Sequence, residues 1–269
     1  MYWEQVENYH TSRKTGYTYY GNYDTVFKGI GIEEEFDCEE PESRSEFREA
    51  VAEVLFNHRW KDHYFVEKDS SLSNGMEFIT QPHTIEAMRE FISVAMSDIM
   101  NKVSNVGVQN CSPKAATHIH ISKTVFGDTY EEQKDNVSKL WYMVSRNDLT
   151  FFRLGNREHT YKCLFPAPKL TVKRAKAKVD YEYNLENKLP TKLYRYQAIN
   201  LRQKNTVEIR VMQGTTDINT LTAWVELWWH LANKSTTIAW EDAKSLDKWL
   251  EDAPTIVKDF VNDKLAQEW

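Results

Sequence analysis

Four short segments of this chain put charged or metal-ligating side chains where a buried strand would carry apolar ones. They are GIEEEFD at 31–37, DSSLSNGME at 69–77, THIHI at 117–121 and TVEIR at 206–210. Side chains two apart on a strand share one face. Glu33 with Glu35, His118 with His120 and Glu208 with Arg210 are therefore same-face pairs. A single sheet would gather these six residues and Glu77 on one surface. Burying so many charges is costly unless they are paired or bind metal. Any fold for this sequence has to solve that problem first.

The rest of the chain supplies the means. Its 269 residues, 41% of them hydrophobic, suffice for one large domain or two small ones. A net charge of -6 gives no basic footprint, so nucleic acid is not an expected partner. Cys38, Cys111 and Cys163 are odd in number and widely spaced, which predicts no disulfide framework and a cytoplasmic setting. No apolar run approaches the roughly 18 residues of a membrane span, and the N-terminus lacks a signal-peptide pattern. The abundant aromatics fit a packed core, or less readily a pocket for a planar ring.

Residues 1–26, rich in Tyr, Gly and Thr, read as an extended or partly ordered N-terminal arm. A first strand is expected over 27–37 and a helix over 45–58, where Phe47, Val51, Val54 and Leu55 recur at helical spacing. Strands at 63–68 and 76–81 flank a polar turn and form a hairpin. Thr84 caps a long amphipathic helix reaching Val103. Strands near 107–110 and 117–122 form a second candidate hairpin, and Asp128 or Thr129 starts a helix to about Asn147. Residues 155–192 read as irregular. Within them the acid-free stretch 169–178 is a solvated loop or, more sharply, a flap over anions carrying Lys173, Arg174, Lys176 and Lys178. Strands follow at 194–202 and 206–213. Asp217 then caps an apolar helix with Leu221, Trp224, Val225, Trp228 and Leu231, and two short helices end the chain. Local hairpins rather than crossovers predict an α+β fold, an antiparallel sheet with helices packed on one face and the polar residues on the other.

Each polar pair has a plain reading beside its chemical one. Glu33 and Glu35 suit a hard cation such as Mg²⁺, which takes oxygen ligands; otherwise they are solvated acids on an edge strand. Ile30, Ile32 and Phe36 supply the opposite apolar face, which Glu34 interrupts. His118 and His120 suit Zn²⁺ or hydrogen bonds to phosphate, or are satisfied within the core. Glu208 and Arg210 are a salt bridge, or a cation ligand beside a phosphate-gripping fork. Asn200 and Arg202 add polar groups to the neighbouring strand.

In order along the chain, GIEEEF, DSSLxxGxEFITxP, THIHIS and RYQAINL…NTVEIRxxQGT resemble the amidoligase family over roughly residues 28–232. That family is similar to glutamine synthetase and glutamate–cysteine ligase, so the resemblance implies a glutamine synthetase-like catalytic domain over 27–240, with 241–269 packed on it as C-terminal helices. It also implies an ATP-dependent carboxylate–amine ligase working through an acyl phosphate. Glu33, Glu35, Glu77 and Glu208 are then the Mg²⁺ ligands, for two or more ions, with Mn²⁺ as an alternative. His118, His120, Arg195, Asn200, Arg202 and Arg210 fall to ATP and substrate, and Lys173 and Arg174 lie near them on the basic loop. Glu33, Glu35, Glu77, Glu208 and Arg210 carry the catalysis. The partners implied are a nucleotide, a small-molecule or peptide carboxylate and an amine, with no membrane and no nucleic acid. Ser70 stands where the family motif has Gly. Two other classes use the same residues: a Zn²⁺ or Mn²⁺ hydrolase, and a non-enzymatic module in which the acids and histidines are structural.

Overall fold

The computed structural model describes residues 1–8, 16–37, 44–106, 114–157, 171–184 and 197–267. They form an α+β structure in two compact units. The first comprises residues 1–23, 29–118 and 213–222, the second residues 24–28, 119–212 and 223–269.

The first unit contains strands β1 (Ile30–Phe36), β2 (Tyr64–Lys68) and β3 (Met76–Thr80). It also holds the start of β4 (Ala116–Ser122), and its strand order is β2-β3-β1-β4. The predicted hairpin is present: β2 and β3 are antiparallel from Tyr64↔Thr80 to Lys68↔Met76. Strand β1 adds to the other edge of β3, also antiparallel, from Glu33↔Ile79 to Phe36↔Met76. The turn between β2 and β3 is fastened by acids. Asp69 Oδ1 accepts from Ser71 N at 2.6 Å. The fully buried Asp37 accepts from Ser73 N at 3.1 Å and Asn74 N at 2.8 Å. Gly75 is needed for close approach, since a Cβ there would meet Phe36 O at 1.9 Å. Ser70, by contrast, sits in the turn without a positive φ.

Helices cover the apolar side of this unit. Helix α1 (Arg44–Phe56) buries Phe47, Val51, Ala52 and Leu55. The predicted long helix begins where expected, with Thr84 Oγ1 accepting from Ala87 N. It runs as α2 (Ile85–Phe91), widens to a π-turn over Ile92–Met96, and continues as α3 (Ser97–Asn105). Met88, Ile92, Met96, Ile99 and Val103 all turn inward, as their spacing predicts. The described parts of the N-terminal arm are docked. Glu49 accepts from Tyr2 N and Trp3 N, the Trp3 ring lies under Arg48 and Lys68, and single bridges join Glu7 to Glu67 and Tyr20 to His83.

In the second unit the strand order is β4-β6-β5, with β5 (Ile199–Asn200) antiparallel to β6 (Thr206–Gln213). Helix α4 (Tyr130–Arg146) starts with a complete capping box: Thr129 Oγ1 accepts from Glu132 N while Glu132 reaches back to Thr129 N. Helix α5 (Asp148–Leu154) follows directly. Helix α7 (Ile218–Ser235) carries the predicted stripe, and its Trp224 and Trp228 indoles donate to Leu154 O and Met212 Sδ. Helices α8 (Leu246–Leu250) and α9 (Thr255–Ala266) end the chain as expected. No helix among the described residues is long and apolar enough to cross a membrane.

One expectation is corrected. Residues 172–184 are not loop but helix α6 (Val172–Asn184), which packs on α4. Lys, Arg and Ala are strong helix formers, and Ala175 and Val179, four apart, supply the buried stripe. The absence of acids over 169–178 suggested a free basic loop, but the acids that pair with it come later and from α4. Lys176 meets Asp135 at 2.7 Å and Lys178 meets Glu182 at 3.1 Å. The expected strand at 107–110, and 194–196 of the strand expected at 194–202, lie outside the described residues, as do 169–170.

A histidine pair ties the arm to the first unit. His83 Nδ1 donates to Gln81 O at 2.6 Å, which leaves its Nε2 to accept from His63 Nδ1 at 3.1 Å. Tyr20 stacks on His63, with centroids 3.8 Å apart, and also on His83. Burial lowers the His83 pKa to about 4, and burial lowers that of His63 too. The unfolded chain, with histidines near 6.5, takes up protons that the folded pair refuses. Stability is then complete above pH ~6.5 and declines as pH falls toward 4, by about 3 kcal/mol at most from His83. Thermal melts across this range are expected to show that slope, and His83→Gln is expected to flatten it.

Candidate metal centre

Strand β3 is paired on both sides, and its register decides the site. Glu77 stands directly opposite Glu67 on β2 and directly opposite Glu35 on β1. Opposed residues in a sheet share a face, with Cβ atoms about 5 Å apart. The three carboxyls therefore form a row across three strands. Glu33, two residues before Glu35, lies on the same face, and His118 comes from β4. All are buried: Glu33 is 7% exposed, Glu35 6%, Glu67 0%, Glu77 3% and His118 2%.

Several contacts fix these side chains. Glu35 Oε2 accepts from Ala116 N at 2.8 Å. His118 Nδ1 and Glu33 Oε2 are 3.4 Å apart. Glu35, Glu77 and His118 each offer a ligand atom, and these atoms all lie within 4.8 Å of one another. Two carboxylate charges at 4.8 Å repel by about 3.5 kcal/mol at an effective dielectric of about 20. A divalent cation converts that repulsion into attraction. Two carboxylates and an imidazole, converging from three strands and shielded from water, can hold a metal ion.

Glu34 solves its own problem on the opposite face. It is fully buried, and its Oε1 accepts from Thr215 N at 2.8 Å. Thr117 Oγ1 lies 2.6 Å from Glu34 Oε2 and 3.1 Å from Gln213 O. One hydroxyl has one proton and cannot serve both oxygens fully. Burial pushes the Glu34 carboxyl well above the ordinary glutamate range. A protonated Glu34 would donate to Thr117 Oγ1 and free the Thr117 proton for Gln213 O. The interruption of the apolar alternation in β1 is thus a hydrogen-bonded buried acid.

In the second unit the predicted residues form a hydrogen-bonded cluster. Asn200 is directly opposite Glu208, and its Nδ2 donates to Glu208 Oε2 at 2.6 Å. Gln203 Nε2 donates to the same oxygen at 3.1 Å, and Arg210 Nη1 donates to Glu208 Oε1. Arg202 N donates to Asn200 Oδ1. Between them these partners engage both oxygens of Glu208, which matches the salt-bridge reading of TVEIR. His120 Nδ1 lies 3.2 Å from Thr206 Oγ1. Lys173 and Arg174 lie exposed on α6 rather than on a flap. Arg195 lies outside the described residues.

Glu67, buried and directly opposite Glu77, is an acid on this face that the sequence motifs do not single out. Once the hairpin is registered with Lys68 opposite Met76, Glu67 falls opposite Glu77 on the polar face.

No protein-family model matches the chain, and no curated protein matches it.

Mg²⁺ or Mn²⁺ is expected to raise the melting temperature by roughly 5–10 °C at a hundredfold excess over Kd. Glu35→Gln and Glu77→Gln are expected to abolish that shift. Without metal, each variant is expected to melt at or above the wild-type temperature, because removing one of several converged like charges relieves repulsion. Thermal melts with and without chelator measure both effects.

Proposed function

We propose that the protein is an ATP-dependent carboxylate–amine ligase. The observation that carries this reading is the convergence of Glu35, Glu77 and His118 from three strands, with ligand atoms within 4.8 Å. The order of the four sequence motifs supports it. Under this reading the antiparallel sheet is a glutamine synthetase-type catalytic sheet, and the protein acts in the cytoplasm, where Mg·ATP is abundant.

Glu35 and Glu77, with Glu33 beside them, are the residues to hold Mg²⁺. The ion, when bound, neutralises phosphoryl oxygens. In the reaction, a carboxylate oxygen of the acid substrate attacks the γ-phosphorus of ATP, and ADP leaves. The amine nitrogen then attacks the acyl carbon, phosphate departs with the carboxylate oxygen, and the nitrogen gives up its proton. Phosphoryl transfer asks chiefly for positioning and charge neutralisation. Buried acids fixed by β-sheet register answer the first demand: Glu35 is held by Ala116 N, and Glu77 is paired on both sides. The resemblance assigns Glu208 and Arg210 to the same chemistry, through a pair already preformed within β6.

A metal-dependent hydrolase is the second reading, favoured by one observation. His118 shares ligand distance with the two carboxylates, and imidazole suits Zn²⁺ better than Mg²⁺.

Hydroxylamine trapping separates the two. With Mg·ATP and a panel of small carboxylic acids and acidic peptides, the ligase is expected to give acyl hydroxamates and stoichiometric ADP. Glu77→Gln is expected to lower that rate by at least about 100-fold. Hydrolysis that needs Zn²⁺ and ignores nucleotide would instead establish the hydrolase.

A further inference from the structure

Outside these clusters, the second unit holds a buried acid that the proposed chemistry does not use. Glu182, on the last turn of α6, has a side chain only 1% exposed. Gln197, just before β5, donates from Nε2 to Glu182 Oε1 at 3.1 Å. Each residue has one further oxygen, Glu182 Oε2 and Gln197 Oε1. Both are buried, and neither has a hydrogen-bond partner among the described residues. Two orphaned oxygens on groups already joined by one bond are costly, because each loses water and gains nothing.

A single proton removes both defects. A carboxylic acid and a primary amide lying side by side form a ring of two hydrogen bonds. The amide N–H donates to the acid's carbonyl oxygen, and the acid O–H donates to the amide's. The first of these bonds is the one observed. The second needs only a proton on Glu182 Oε2.

We propose that Glu182 is a neutral acid in a cyclic acid–amide pair with Gln197, and that this pair is a proton-dependent latch fastening helix α6 to the approach of strand β5.

The surroundings of Glu182 fit a neutral acid. Lys178, one turn earlier on α6, lies 3.1 Å from Oε1, the oxygen that is the carbonyl of the neutral acid. Its side chain is 28% exposed, and its ammonium also lies over the Trp141 ring of α4, 5.2 Å from the centroid, so the indole shares its charge. Arg202 acts on Glu182 from the strand side through its charge. Where α4 and α6 meet, Lys134 pairs with Asp180 and Glu131, and Asp135 pairs with Lys176 and Lys139. Desolvation outweighs Lys178, Gln197 and Arg202, and it holds the carboxyl above the ordinary glutamate range. A raised carboxyl gives stability that is complete below its unfolded pKa and is lost as pH rises through the folded value. The latch is therefore closed in acid and opens as pH rises. That direction is opposite to the His63–His83 pair of the first unit.

Carbon-13 NMR of the intact protein, labelled at glutamate Cδ, tests the latch, with Glu182 assigned by side-chain correlation in the wild type. Its Cδ is expected to keep the shift of a protonated acid above the ordinary glutamate midpoint of about 4.3. A carboxylate shift with an ordinary or lowered midpoint would overturn the proposal. Glu182→Gln gives a second reading, because the new amide makes the same two bonds without needing a proton. Relative to wild type, the variant is expected to gain roughly 2–4 °C in melting temperature between mildly acidic and mildly alkaline buffer. If it loses stability instead, growing worse as pH rises, Glu182 is an ionised partner of Lys178 and the latch is wrong.

Discussion

The antiparallel register that pins β3 between β2 and β1 is the constraint on which the candidate site depends. Because Glu77 is opposed on both sides, it meets Glu67 and Glu35 at the distance of cross-strand neighbours. A shift of one residue in either pairing would turn a carboxyl to the helix-covered face and dissolve the row. Register is in turn held from outside the strands. Asp37 ties the end of β1 to the turn before β3, and Gly75 lets that turn pass within reach of the Phe36 carbonyl. The polar face and the turn that aligns it are thus a single device, encoded together in the segments 31–37 and 69–77.

Buried acids in this protein have two fates. On the polar face, carboxyls crowd together where a cation can compensate them. Elsewhere hydrogen-bonding neighbours hold them. Glu34 lies under Thr117 and Thr215, and Glu182 lies against Gln197. Neighbouring residues on one strand can take opposite roles. Glu33 and Glu35 turn toward the row while Glu34, between them, turns into the core, where burial raises it well above the usual carboxylate range.

Much of this was legible in the sequence, and the parts that were not have physical causes. The alternation of Glu33 and Glu35 with Ile32 and Phe36, the Thr84 and Thr129 caps, and the helical stripe from Leu221 to Leu231 each express a local periodicity or a cap, and each is found in the structure. Glu67 was hidden because its partner is set by hairpin register, which no local pattern prints. The basic stretch before Asp180 hid helix α6, because Asp135 on α4 pairs with Lys176 only after folding. The role of Glu34 was illegible for a similar reason. Its partners Thr117 and Thr215 lie 83 and 181 positions away along the chain.

The central claim is that Glu35, Glu77 and His118 hold a divalent cation. A Mn²⁺ complex of the intact protein, examined by electron–nuclear double resonance with ¹⁵N-labelled histidine, tests it most directly. The account predicts coupling to one imidazole nitrogen, lost in His118→Gln, together with loss of Mn²⁺ affinity in Glu35→Gln and Glu77→Gln. Mn²⁺ that binds with no histidine coupling and equal affinity in all three variants would contradict it.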